Sequence, residues 1–196
     1  MAKKLPKILS DQEIVWLHRY FNTANARRAA TNARDYAMVM LMLEYGLRVG
    51  EVVNLKRDDI DMQSGRLHVR GKGEQDRIIW VTSKHLPILE EWLEQRPADT
   101  PWLFCTLHSS RGEPGKPLQK RQVHQKIKRI GTRIGRPDLY PHLLRHTFGT
   151  RLYKKTKDLV QVQKILGHSN INNTRIYVTI AGDDTKKILQ EYHNAN

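Results

Sequence analysis

The chain has 196 residues, with 34 Lys and Arg against 20 Asp and Glu, a formal net charge of +14, and 39% hydrophobic residues. That length supports one domain with a real core, and the apolar share makes the charge a coat on a folded protein rather than a disordered tail. No apolar run approaches a membrane span, the start MAKKLPKILS is too short and polar for a signal peptide, and the single cysteine, Cys105, excludes an intramolecular disulfide or a cysteine-based zinc site.

The elements follow in chain order. Ser10 and Glu13 form an S-x-x-E capping box that opens a helix with Ile14, Leu17 and Phe21 on its inner face. A second helix is predicted over residues 34–45, with Met38, Leu41, Met42 and Tyr45 inward and Gly46 as its stop. Arg48 then lies in a tight bend before a short helix carrying Glu51, Val52 and Leu55. Residues 58–61 read as a turn. Two strand-like runs, 66–70 and 77–81, flank GKGEQD and give a β-hairpin with Lys72 at its tip. A helix over 86–95 ends near Pro97.

The Ser-, Gly- and Pro-rich stretch 106–117 is a loop, and not a domain boundary, because the motifs fall on both sides of it. A helix over 118–134 follows. From Lys116 to Arg136 there are eight Lys or Arg and no acidic residue. The rest is helical, over about 142–153, 159–166, 171–177 and 185–192. The fold class is mainly α with a small antiparallel β-sheet, α+β, in a single domain spanning 1–196.

A basic folded domain most often meets nucleic acid. Cys105 follows an apolar WLF stretch and reads as a small buried residue in a protein of a reducing compartment, the cytoplasm or nucleoid. In PHLLRH, His142 and Arg145 share a helix face at i and i+3, and Pro141 puts His142 in the first turn, where phosphate is also attracted. His142 and His146 have the i, i+4 spacing of a zinc pair, but the Glu of H-E-x-x-H is absent and Arg145 would set a cation beside the metal. Taken singly, the other residues carry ordinary readings. His168, emerging after the helix stop Gly167 in LGHSN, reads as a solvated loop histidine. Tyr177 reads as half-buried core, Lys72 as a hairpin-tip lysine, and Arg48 as a surface arginine that pairs with Glu51 at i+3.

Together, Arg48, Lys72, His142, Arg145, His168 and Tyr177 supply a nucleophile, two guanidinium clamps, two imidazoles and an ammonium, with no carboxylate in the set. That balance suits holding a phosphate and stabilising its developing charge without a metal. It does not suit proteolysis, glycoside hydrolysis or hydride transfer. Four blocks in order, YGLRVGEVVNLKRDDID, GKGEQDR, PHLLRHTFGTRL and VQKILGHSNINNTRIY, make the chain resemble the catalytic domain of the tyrosine recombinases, the phage integrase and Xer-like family, over nearly its whole length. Tyr140 before the Pro-His pair and Trp80 at the end of the second strand depart from the family pattern without touching a catalytic position.

The resemblance implies that Tyr177 attacks a DNA phosphodiester, leaving a 3′-phosphotyrosyl bond and a free 5′-hydroxyl. It further implies that Arg48 and Arg145 grip the non-bridging oxygens, that His168 donates to the same phosphate, and that His142 accepts the tyrosine proton. Lys72 would protonate the leaving oxygen, and Glu51 would orient Arg48 or its loop. No metal and no cofactor are called for; there is no phosphate-binding G-x-x-x-x-G-K-[ST] loop. Lys116, Lys120, Arg121, Lys126, Lys128, Arg129 and Arg133 are the candidate DNA contacts.

The implied partner is double-stranded DNA, with further subunits joining on it in a tetrameric synapse and a monomer in isolation. The core-binding domain that usually precedes this one in the family is expected to be absent. Residues 183–196, with Ile188, Leu189 and Tyr192 on one helical face, are expected to form a docking tail. The competing readings are a type IB topoisomerase-like strand transferase and a DNA-binding regulator that has lost catalysis.

Overall fold

The computed structural model describes residues 7–23, 29–71, 76–107, 114–168 and 172–181. Lys72 and the tail 183–196 lie outside the described residues.

Helix α1 (Asp11–Asn22) begins at the predicted capping box. The Ser10 hydroxyl accepts from the Glu13 amide at 3.3 Å, the Glu13 carboxylate accepts from the Ser10 amide at 2.8 Å, and Ile14, Leu17 and Phe21 are buried. Helix α2 (Ala29–Glu44) is the axis of the domain. Residues 37–43 are an unbroken apolar run, every one of them buried, so no face is left for water. Helices α4 (Leu86–Gln95) and α6 (Pro141–Thr156) pack along it. Helix α2 starts five residues earlier than the sequence predicts. Its first turn, AATN, carries no large apolar residue, so the periodic signal begins only where the buried run does.

The sheet has three antiparallel strands in the order β1 (Ile60–Asp61), β2 (Arg66–Val69), β3 (Arg77–Trp80). Leu67 faces Ile60 on one side and Ile79 on the other. The two predicted strands pair antiparallel, each one residue shorter than predicted; β1 replaces part of the predicted turn at 58–61. The turn itself is displaced to residues 62–65, where the Asp61 carboxylate accepts from the amides of Gln63 and Ser64 at 2.9 and 3.4 Å. Asp61 therefore carries the turn signal from the strand side.

The neck of the loop 106–117 is closed by hydrogen bonds between Thr106 and Lys116 and between Gly115 and Thr106, each 2.9 Å. Beyond it come α5 (Lys120–Arg133), α6, α7 (Leu159–Leu166) and α8 (Asn172–Ala181). Cys105 is buried, and burial pushes its thiol pKa up, so it is the inert small residue its context predicts. A second, smaller core of Val162, Leu166 and Tyr177, with Phe148, Leu152, Tyr153 and Ile176 packed around it, joins α6, α7 and α8. Of the predicted active-site residues, Arg48, His142, Arg145, His168 and Tyr177 collect along the seam between this small core and the main one. No described helix is long and apolar enough to cross a membrane.

Candidate active site

Helix α3 (Val49–Asn54) is only six residues long, and its start is organised around one carboxylate. Glu51 sits at its third position and accepts from the Arg48 backbone amide at 2.7 Å, capping the helix. The same carboxylate receives the Arg48 side chain at 2.9 Å and both terminal nitrogens of Arg77, from the head of β3, at 2.9 Å each. A third guanidinium, Arg145 on α6, stands 3.9 Å away. Burial would raise the Glu51 carboxyl pKa. The Arg77 bond and charge, the Arg48 amide and the Arg145 charge override it and hold Glu51 below the usual carboxylate range. One carboxylate among three guanidiniums leaves a cationic centre.

Arg145 is buried and spans two segments. One terminal nitrogen donates to the Gly46 carbonyl and the other to the Leu166 carbonyl at 2.8 Å, joining the bend before α3 to the end of α7. Burial first, and the neighbouring Arg48 next, lower its pKa to about 10, with Glu51 and Tyr177 opposing, so it remains a cation at neutral pH. Arg48 is more open and donates to the Gly167 carbonyl at 3.1 Å. Gly167 ends α7 in the left-handed region at φ 63°, as the sequence predicts for a helix stop. That turn delivers His168 into the same seam. Its Nδ1 lies 3.0 Å from the Thr174 hydroxyl, and its ring stacks on Tyr177 at 6.2 Å between centroids.

Tyr177 is 1% exposed. Its ring rests on α6 at Gly149, where a Cβ would lie 2.5 Å from the ring carbon bearing the hydroxyl. His146 meets it from the side at 5.8 Å, and His142 meets His146 edge-on at 5.5 Å. Burial raises the Tyr177 phenol pKa, and Arg145 and Arg48 offset only part of that rise. Burial, followed by cationic neighbours, lowers His146 to about 4 and His168 to about 3, so both are neutral at pH 7. His142 is shifted down by the same causes, burial first, then Arg145, Arg48 and His124. It remains solvent-accessible at the first turn of α6.

The fold thus gathers Arg48, Glu51, His142, Arg145, His168 and Tyr177. Two further residues belong to the cluster, Arg77 and His146. Arg77 was legible in principle. Strand alternation puts it on the same face as the buried Ile79, and a basic residue on an inward strand face needs a partner. His146 was visible to the sequence only as the second member of an i, i+4 histidine pair. Its buried Nδ1 has no hydrogen-bond partner among the described residues.

The predicted basic helix borders this site. Val123, Ile127 and Ile130 bury its inner face, and Lys120, Arg121, Lys128, Arg129 and Arg133 are exposed, as is Lys116 before it. The Lys120 side chain lies against Gly50 of α3, next to Arg48. The His124 charge is felt at His142. Lys126 is turned inward instead, bonded to Asp35 of α2 at 3.1 Å. Arg34 holds the same carboxylate at 3.0 Å and the Cys105 carbonyl at 3.0 Å.

Residues 8–183 match the phage integrase family. The chain is 33% identical to the tyrosine recombinase XerA of Thermococcus kodakarensis over 192 residues, covering 97% of this chain and 64% of that protein. It is 38% identical to the tyrosine recombinase XerC of Pseudomonas syringae pv. tomato over 163 residues, covering 83% of this chain and 52% of that one. Among solved structures, it superposes on XerH site-specific recombinase bound to palindromic difH substrate in a post-cleavage complex. The TM-score is 0.78 at 28% identity, over 96% of this chain and 53% of that one. The chain therefore spans about half to two thirds of the length of these relatives.

Proposed function

The chain belongs to the phage integrase family, and on that premise we propose that it is the strand-breaking and rejoining part of a site-specific DNA recombinase. The observation that carries the reading is the convergence of Arg48, Arg145, His168 and Tyr177, from four separate segments, on one cationic seam. In this reading the Tyr177 oxygen attacks phosphorus and the deoxyribose 5′-oxygen leaves, so a phosphodiester is exchanged for a 3′-phosphotyrosyl ester without hydrolysis. Arg48 and Arg145 offer planar forks to the non-bridging oxygens as charge builds there, and neutral His168 adds an N–H donor. His142, exposed beside the seam, takes the phenolic proton. Lys72 is assigned the proton for the leaving oxygen.

The phenol is covered in the free chain, so attack requires the ring to be uncovered when the duplex seats. Lys120, Arg121, Lys128, Arg129 and Arg133 would hold that duplex through its phosphates. The XerH recombinase, solved bound to its difH substrate, supports DNA as the partner; assembly of four subunits on DNA, with residues 183–196 docking between neighbours, belongs to the same proposal.

The test is a pool of nicked suicide duplexes with randomised sequence around the nick. The wild-type chain should form a denaturation-resistant protein–DNA adduct, and Tyr177→Phe should form none while binding the pool with similar affinity. Adduct formation by Tyr177→Phe would reject Tyr177 as the nucleophile.

A further inference from the structure

We infer that Arg77 is a positioning residue of this site. It fixes Glu51 with a two-pronged grip and so keeps Arg48 and Arg145 available for the scissile phosphate. The inference rests on the proposed strand-transfer function.

Three observations place Arg77 in that role. First, both of its terminal nitrogens are committed to Glu51, one to each carboxylate oxygen, at 2.9 Å. A fork-to-fork pair sets the plane of the carboxylate as well as its position. Second, its side chain is only 10% exposed, so it does not itself reach for a duplex. Third, it runs along the outside of Gly167, where an added Cβ would lie 3.1 Å from its Nη1 and 3.3 Å from its Cδ. The carbonyl of that same glycine holds Arg48. Arg77 therefore braces both of the anchors that aim Arg48, the Glu51 carboxylate and the Gly167 carbonyl.

The electrostatic consequence concerns competition. A carboxylate beside two phosphate-gripping arginines is a rival for them and repels the incoming phosphate. With Arg77 as a permanent counterion, Glu51 keeps one bond to the Arg48 side chain and only a 3.9 Å approach to Arg145. Without Arg77, Glu51 would keep its bonds to Arg48 but lose the counterion on both oxygens, and its uncompensated charge would draw Arg48 and Arg145 away from the phosphate. Lysine restores the charge but not the fork.

Arg77 also begins β3, directly after the segment that contains Lys72. Its loss could therefore act on leaving-group protonation instead, and the experiment separates the two. The adduct rate is measured at saturating DNA on the nicked pool, in parallel with affinity and thermal melting, for wild type, Arg77→Ala, Arg77→Lys, Glu51→Gln and the double variant Arg77→Ala/Glu51→Gln. Arg77→Ala should keep its affinity and lose roughly 10–100-fold in rate, the size of effect seen when the support of a binding group is removed. Arg77→Lys should fall between. The double variant should be no slower than the slower single, because both act through one carboxylate.

A duplex whose leaving 5′-oxygen is replaced by sulfur should leave the Arg77→Ala defect in place. A wild-type rate for Arg77→Ala, multiplicative losses in the double variant, a defect confined to affinity, or rescue by the sulfur substrate would each overturn the assignment. If Arg77→Ala does not fold, Arg77→Lys at wild-type melting temperature decides, and a wild-type rate there overturns it. Absence of adduct with the wild-type chain would instead reject the strand-transfer reading itself.

Discussion

Gly149→Ala asks whether Tyr177 is held where the chemistry needs it. The new methyl group would sit 2.5, 2.7 and 2.9 Å from three carbons of the Tyr177 ring. Carbon atoms pack at about 3.5–4.0 Å, so the overlap is about 1 Å against a rigid ring. Gly149 lies inside α6, where alanine gains about 1 kcal/mol of helix propensity. Overpacking a filled site costs about 1–3 kcal/mol, so the net change runs from near zero to about 2 kcal/mol of destabilisation. For a domain of this size that is a fall in melting temperature of at most about 8 °C, leaving a folded protein. The ring cannot stay, and a displacement of about 1 Å of a reacting group costs roughly 10² in rate. The expectation is a folded variant, normal in DNA affinity, with adduct formation on the nicked duplex pool down about a hundredfold. A Gly149→Ala protein that melts at or above wild type and forms adduct at the wild-type rate would refute both the close packing and the importance of the ring's seat.

Arg145→Lys should lose nearly as much adduct rate as Arg145→Ala, roughly 10²–10³, because an ammonium cannot bridge the Gly46 and Leu166 carbonyls and a phosphate together; near-wild-type turnover would reduce Arg145 to a general electrostatic role. Melting temperature should fall as pH drops from about 6.5 towards 4. His146 and His168 have folded pKa values of about 4 and about 3, below the ordinary 6.5, so the unfolded chain binds more protons across that window and stability is complete only above it. Each ring contributes at most about 1.4 kcal/mol per pH unit, less because both keep some contact with water. A melting curve flat from 6.5 to about 5 would count against their neutral burial, since the carboxylates held low, Glu51, Glu44, Glu13 and Asp138, lose their contributions only below about 5. On α5, Arg121→Ala should weaken DNA binding and reduce the salt slope by about one, whereas Lys126→Met should leave the slope unchanged and cost about 1.5–3 kcal/mol of stability through the Asp35 bond. Equal effects of the two on the salt slope would contradict the inward placement of Lys126.

Helices α4 and α7 fall on the residues predicted for them because apolar period and boundary chemistry agree: Pro97 lies just beyond α4, and Gly167 stops α7. Strand β1 escaped because it is two residues long and exists only through its pairing with Leu67 and Arg66, which no local pattern announces. Lys126 was grouped with its neighbours because a run of cations says nothing about which one meets a carboxylate ninety-one positions away in sequence. The partner, Asp35, is on α2, and only the packing of α5 on the domain brings them together.

Tyr177 shows why the residues alone left two readings open. A tyrosine on an amphipathic helix reads as core, and it is core, 1% exposed and packed with Val162 and Leu166. The same ring lies against His146, stacks on His168 and feels the charge of Arg145 and Arg48. The two readings do not compete. A phenol whose pKa is raised by burial is a poor nucleophile until it is uncovered and a base takes its proton. In the proposed reaction, burial would hold Tyr177 back in the free chain, while the guanidiniums that partly offset its raised pKa would also grip the phosphate it attacks. The Glu51 carboxylate fits the same logic. Glu51 caps α3, aims Arg48 and is itself neutralised by Arg77, so the seam keeps its excess positive charge without leaving its arginines unheld.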